Sequence, residues 1–231
     1  LRAFRVAIAP GMDWLPVEAE IRSAIDQFAG ELDNSGVRVK RAFPAELGDA
    51  SDFYATYVAI LNAIVTRDLP PDVRERSIST LEAKGDMTSL AKARGMRARA
   101  GDYISWHQQR ESYRAAFRSF FSEWDVLLTP VTLCGAFPHE SRRWLERTLD
   151  IDGTLVAYDL LSAHASLATL PGQPAVSMPV GLSGAGLPVG VQAIGPYLED
   201  RTVIEFASLV EQEFGGFTQP PMALDVQFGV R

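Results

Sequence analysis

Hydrophobic positions change their spacing several times along the chain, and each change predicts an element. Arg5–Ala9 (RVAIA) is a short apolar run ending at Pro10-Gly11 and reads as a buried strand. After Pro16, apolar residues recur at Val17, Ile21, Ile25, Phe28 and Leu32, at spacings of three and four. That period predicts an amphipathic helix, which proline can start and Asn34-Ser35-Gly36 can end. Glu18 and Glu20 suit the positive end of its dipole. Val37–Phe43 (VRVKRAF) predicts a second strand. Strand, helix and strand of this length make a βαβ unit, so the sheet should contain parallel pairing.

From Ser51 to Asp102 the pattern is helical but interrupted at Pro70-Pro71. Tyr54, Tyr57, Val58, Leu61 and Val65 share one helical face, while polar, arginine-rich Asp72–Ala100 predicts a mobile surface element. Between Gly101 and Trp124 an aromatic stripe (Trp106, Tyr113, Phe117, Phe120, Trp124) marks the core side of a helix that leads into a strand at Val126–Thr129. Asp152-Gly153 reads as a turn, and Thr154–Thr169 as a helix ending at Leu170-Pro171. Two strands follow, Pro174–Val180 and Leu187–Ile194, joined by glycine-rich Gly181–Gly186. They predict a buried hairpin with Pro179 and Pro188 near strand ends. The fold class that results is α/β, a mixed β-sheet flanked by helices.

Composition narrows the function classes. With 47% hydrophobic and 22% charged residues, the 231-residue chain has the make-up of a globular protein with a sizeable core. A net charge of −7 argues against a nucleic-acid surface. The charge is uneven: Arg67–Arg118 holds 11 of the 22 basic residues and 7 of the 29 acidic ones. A solvated helical face explains that excess most simply. Cys134 is the single cysteine, which excludes an internal disulfide and suits a reducing, cytoplasmic setting. No apolar run is long enough to span a membrane, and no signal-peptide pattern opens the chain.

Local catalytic constellations are scarce. Asp159, Ser162 and His164 lie close in sequence, but on a helix positions 162 and 164 point about 200° apart, which excludes a Ser–His pair. His107, His139 and His164 lack metal-ligand spacing. Gly181–Gly190 lacks the Lys-Ser/Thr and helix of a phosphate loop. No metal or organic cofactor is implied.

The order of motifs says more. Ala168–Gly195 (ATLPGQPAVSMPVGLSGAGLPVGVQAIG) holds G-x-P-A-x-S-x-P-x-G and then G-L-P-x-G-x-Q-x-I-G. Trp124–Val131 (WDVLLTPV) precedes it, and Asp200–Glu211 (DRTVIEFASLVE) follows it. Together these closely resemble the C-terminal half of the amidase signature family of serine amidases, with Asp200–Glu211 as the helix after the Gln-containing strand. The resemblance runs from Phe4 onward and is weakest between Ala45 and Asp102.

That resemblance implies hydrolysis of a carbon–nitrogen amide bond to an acid and ammonia or an amine through a serine acyl-enzyme. The family's Ser–Ser–Lys triad lies N-terminal to the matched region. This chain has no Ser-Ser pair, and its lysines (Lys40, Lys84, Lys92) do not match the family's setting. The expectation is therefore that residues 1–231 are the C-terminal part of one amidase-signature domain, with 51–102 a variable helical insertion, inactive alone. Its partners would be a small-molecule amide and the N-terminal half of the same fold, with no nucleic acid or membrane, and a homo-oligomer is compatible. A chain of a split amidase and a non-catalytic domain derived from one are the rival readings.

By the same resemblance this part supplies substrate-pocket walls, formed by Phe137, Asp159, Ser162, Ala163 and Ser166 together with Thr129 and Cys134, and bordered by the loop Val131–His139. The acidic residue that holds the substrate's amino group in tRNA-dependent amidotransferase relatives falls on Ser162. The family's usual Asn falls on Thr169. Both differences point to a neutral or apolar amide.

Overall fold

The computed structural model describes residues 1–219, the side chain of Leu145 apart. The end of the expected single domain, residues 220–231, lies outside the described residues. The chain opens with strand β1 (Arg5–Ile8), helix α1 (Ala19–Asn34) and strand β2 (Arg38–Arg41). Four helices follow: α2 (Ala50–Val65), α3 (Pro71–Lys84), α4 (Met87–Met96) and α5 (Ala100–Glu123). Strand β3 (Val126–Pro130), a hairpin of β4 (Thr148–Ile151) and β5 (Thr154–Ala157), and helix α6 (Ala163–Thr169) lead to β6 (Ala175–Leu182), β7 (Pro188–Ile194) and α7 (Asp200–Phe214).

Among the described residues the main sheet runs β2-β1-β3-β7-β6. β1 pairs parallel with both β2 and β3, whereas β7 is antiparallel to β3 and β6, so the sheet is mixed. Alternation along the strands divides the core. Val6, Ile8, Val126, Leu128, Val191 and Ala193 pack with the apolar stripe of α1 and with Phe206 and Val210 of α7. Ala7, Leu127 and Ile194 point the other way, onto the aromatic stripe of α5 and onto Leu167 and Ala168 of α6. The α5 stripe is thus core, as its spacing predicts.

Three expectations need correction. Thr154–Thr169 is not one helix: Thr154–Ala157 is a strand, Tyr158–Ser162 a 3₁₀ turn, and only Ala163–Thr169 is α-helical. Asp152-Gly153, with φ of 51° and 85°, forms the two-residue turn that pairs Thr154 with Ile151. Local hairpin chemistry overrides the helical spacing.

The second correction concerns β6. It is the edge of the sheet, with Ala175, Ser177, Pro179 and Leu182 exposed. Pro179 sits inside it, at a bulge between Pro179 and Gly181, where the open edge asks nothing of its missing N–H.

The third concerns Asp72–Ala100, which is only partly at the surface. Ile78, Leu81 and Ala93 form a small core of their own, and α4 packs on α2. Because α4 covers the Ala59/Asn62 side of α2, that helix buries Tyr54 and Val58 but leaves Leu61 and Val65 exposed.

Candidate functional site

The loop after β3 forms the floor of a hollow of about 450 Å³. Val131, Thr132, Cys134 and Ala136 line one side, and Ser177, Met178, Pro179, Val189 and Gly190 of the β6–β7 hairpin line the other. A Cβ on Gly190 would sit 3.4 Å from the Met178 carbonyl oxygen and 3.6 Å from Val131, so glycine keeps the two walls close. The loop is fixed from below: Gly135 N–H donates to Glu18 Oε2 at 2.8 Å, and Glu18 N–H to the Leu133 carbonyl at 2.8 Å. Cys134 is 4% exposed. Burial, with Glu18's charge, pushes its thiol up to about 11, so it stays protonated at neutral pH.

Beyond Ala136 the loop reaches a second group of residues. Phe137 stands nearly perpendicular to Tyr158, ring centroids 5.7 Å apart, and Trp144 stands nearly perpendicular to the same tyrosine at 4.8 Å. Next to Tyr158, Asp159 accepts a hydrogen bond from Trp144 Nε1 and forms an ion pair with Lys92 of α4. Its main-chain carbonyl accepts from the Tyr54 hydroxyl at 2.8 Å and the Ser162 hydroxyl at 3.1 Å, and those two hydroxyls lie 3.0 Å apart. Burial raises the Tyr54 phenol far above its usual value, and Asp159's charge adds to this despite the Ser162 hydrogen bond. Tyr54 is therefore a permanent donor.

Thr129, Ala163 and Ser166 lie in or around helix α6. Thr129 faces α6, and Gln192 Nε2 donates to its hydroxyl at 3.0 Å and to the His164 carbonyl at 3.2 Å. The motif glutamine thus ties β7, β3 and α6 together. Ser166 is fully buried, its hydroxyl donating to the Ala163 carbonyl at 2.6 Å, and Ala163 packs in the core. His164 is buried, with neither ring nitrogen partnered among the described residues, and burial pulls it down to about 4. The Ser162 hydroxyl is engaged with Tyr54 and Asp159.

Of the seven expected wall residues, Phe137, Asp159 and Ser162 belong to one group and Cys134 lines the hollow, while Thr129, Ala163 and Ser166 are buried against α6 or within it. Sequence reasoning missed Lys92, Trp144 and Tyr54 as members of the Asp159 group. Lys92 lies in an arginine-rich stretch whose composition suggests a solvated face, and the small residues on its own face of α4, Thr88, Ser89 and Gly95, are the local sign that this side packs. Tyr54 is 105 residues from Asp159 and Trp144 is 15, and neither carries a motif. Among the described residues no group of three or more His, Cys, Asp or Glu could hold a metal ion, and no helix is long and apolar enough to cross a membrane.

A mixed sheet between helical layers, with a hollow beside its open edge, defines an α/β chain. A family model described as Amidase matches residues 1–204, and the chain belongs to that family. It is 38% identical over 129 residues to the A subunit of glutamyl-tRNA(Gln) amidotransferase from Rhodospirillum rubrum, a match covering 54% of this chain and 24% of that protein. It is 25% identical over 228 residues to the 6-aminohexanoate-cyclic-dimer hydrolase of a Pseudomonas species, covering 90% of this chain and 43% of that protein. The solved structure of a 6-aminohexanoate cyclic dimer hydrolase superimposes with a TM-score of 0.69 at 20% identity, over 96% of this chain and 47% of the other. The glutamyl-tRNA(Gln) amidotransferase protein of the same type from Thermotoga maritima gives 0.65 at 20% identity, over 94% and 45%. The chain thus spans less than half the length of these relatives.

Proposed function

We propose that the chain is the C-terminal portion of an amidase that cleaves a carbon–nitrogen bond through a serine acyl-enzyme. The nucleophile and its lysine base come from the other half of the fold, and this part supplies walls of the acyl pocket. The observation that carries the reading is the hollow beside the β6 edge. An apolar recess is built from the post-β3 loop and the G-x-P-A-x-S hairpin, and that hairpin's outer strand has no partner on its outer side among the described residues. An acyl group needs an apolar recess next to the attacking serine, and an open strand edge is where further sheet would add. Amide hydrolysis also needs a base and oxyanion donors, for which the Asp159 group offers no free serine. By the family resemblance Ser162 takes the position of the acidic residue that holds a substrate amino group in relatives, and its contact with Tyr54 supports a neutral or apolar amide.

A fluorophosphonate probe tests the assignment. The 231-residue chain should remain unlabelled, while the complete amidase, joined to its other half, is labelled outside residues 1–231. A specific adduct on a serine of this chain would overturn it.

A further inference from the structure

Lys92 is buried, whereas Lys40 and Lys84 are exposed. Helix α4 delivers its ammonium to Asp159 Oδ2, and Trp144 Nε1 donates to Asp159 Oδ1, so both carboxylate oxygens are taken. A buried ion pair is a weak device for stability, because desolvating both charges cancels much of their attraction. This pair sits beside half-open aromatic surface: Trp144 is 53% exposed and Phe137 43%, both nearly perpendicular to Tyr158. A carboxylate flanked by aromatic rings is a receptor for an organic ammonium, through charge-assisted hydrogen bonds and ring faces. Here the protein fills that receptor with its own cations: Lys92 holds the carboxylate, and the Arg147 guanidinium lies 5.9 Å from the Trp144 ring centroid and 5.5 Å from that of Tyr158.

We propose that Lys92 is a specificity-determining residue: an internal ammonium that occupies Asp159 and so closes the adjoining wall to substrates carrying a free amino group. The inference rests on the reading of Asp159 as pocket wall and deepens it. It also gives the helical segment 51–102 a part in substrate choice, although its residues lie far in sequence from the motif-bearing hairpin.

The test begins on the chain itself, where the amidase reading plays no part. In the chain labelled with 5-fluorotryptophan, n-butylammonium chloride should move the Trp144 fluorine resonance saturably in Lys92→Met. It should not do so in the unsubstituted chain, and n-butanol should move neither. Lys92→Gln, which keeps a hydrogen-bond donor, is read in the same way should the methionine variant not fold. No saturable shift in the variants, or an equal one in the unsubstituted chain, overturns the inference.

In the complete amidase, kcat/KM for 5-aminopentanamide relative to pentanamide should rise about tenfold or more in Lys92→Met. A purely structural role would lower both together. An unchanged ratio in an active enzyme overturns the inference and leaves amide hydrolysis standing. A complete protein that hydrolyses no amide overturns the amidase reading, and the role of Lys92 is then decided by the ammonium titration.

Discussion

At the scale of single residues, His164 is the group whose environment most changes its chemistry. Its ring is buried and without a partner among the described residues, and burial lowers it from an ordinary 6.5 to about 4. The unfolded chain therefore takes up a proton at pH values where the folded chain does not. Stability is complete above about pH 6.5 and is lost as pH falls towards 4, by about 3 kcal/mol in all. Urea midpoints measured from pH 7 to pH 4 should show that slope, and His164→Phe should flatten it. An unchanged slope in the variant would assign the acid sensitivity to other groups. The sequence marks His164 only as an isolated histidine. Its burial is settled by Gln192 and Thr129, which draw the start of α6 down onto the sheet.

At the scale of elements, the packing of α4 on α2 depends on one missing side chain. A Cβ on Gly95 would strike the Ala59 carbonyl oxygen and come within 2.9 Å of Asn62 Cβ, and neither is the end of a flexible chain. Gly95→Ala should destabilise the protein by about 1–3 kcal/mol in chemical denaturation, although alanine is the better helix former. The strain should reach Trp144 as well, because α4 also carries Lys92. Sequence pattern reads well wherever an element satisfies itself locally. The βαβ opening, the α5 stripe and the hairpin of β6 and β7 are legible because period, turn residues and caps agree. It fails at β5, where two turn residues outweigh a helical spacing, and at α3 and α4, whose apolar contacts are few and lie under a polar composition. The Asp159 group is illegible for another reason: Tyr54, Lys92, Trp144 and Asp159 meet across 105 residues of chain, and no local period records that.

At the scale of the molecule, the exposed edge governs behaviour in solution. β6 offers unpaired backbone groups beside exposed Ala175, Ser177 and Leu182. Bulge and proline blunt only its middle. The chain alone should associate in a concentration-dependent way, seen by sedimentation velocity, and Ser177→Lys should weaken that association about tenfold by charging the edge. A monomer at high concentration would count against the half-fold picture.

The pairing of β1 has a consequence during synthesis. Val6 bonds on one side to the strand at Val39 and on the other to the strand at Val126. The first partner emerges from the ribosome soon after β1, but the second follows only after α2 to α5 have been made. At about 5–20 residues per second, that wait is roughly 4–18 s. Throughout it, a βαβ unit with one apolar strand edge open hangs from the ribosome, and closure of the sheet must await a long-range contact that is entropically slow to form. The order in which the chain is made therefore leaves the β1 edge open before the motif-bearing hairpin exists.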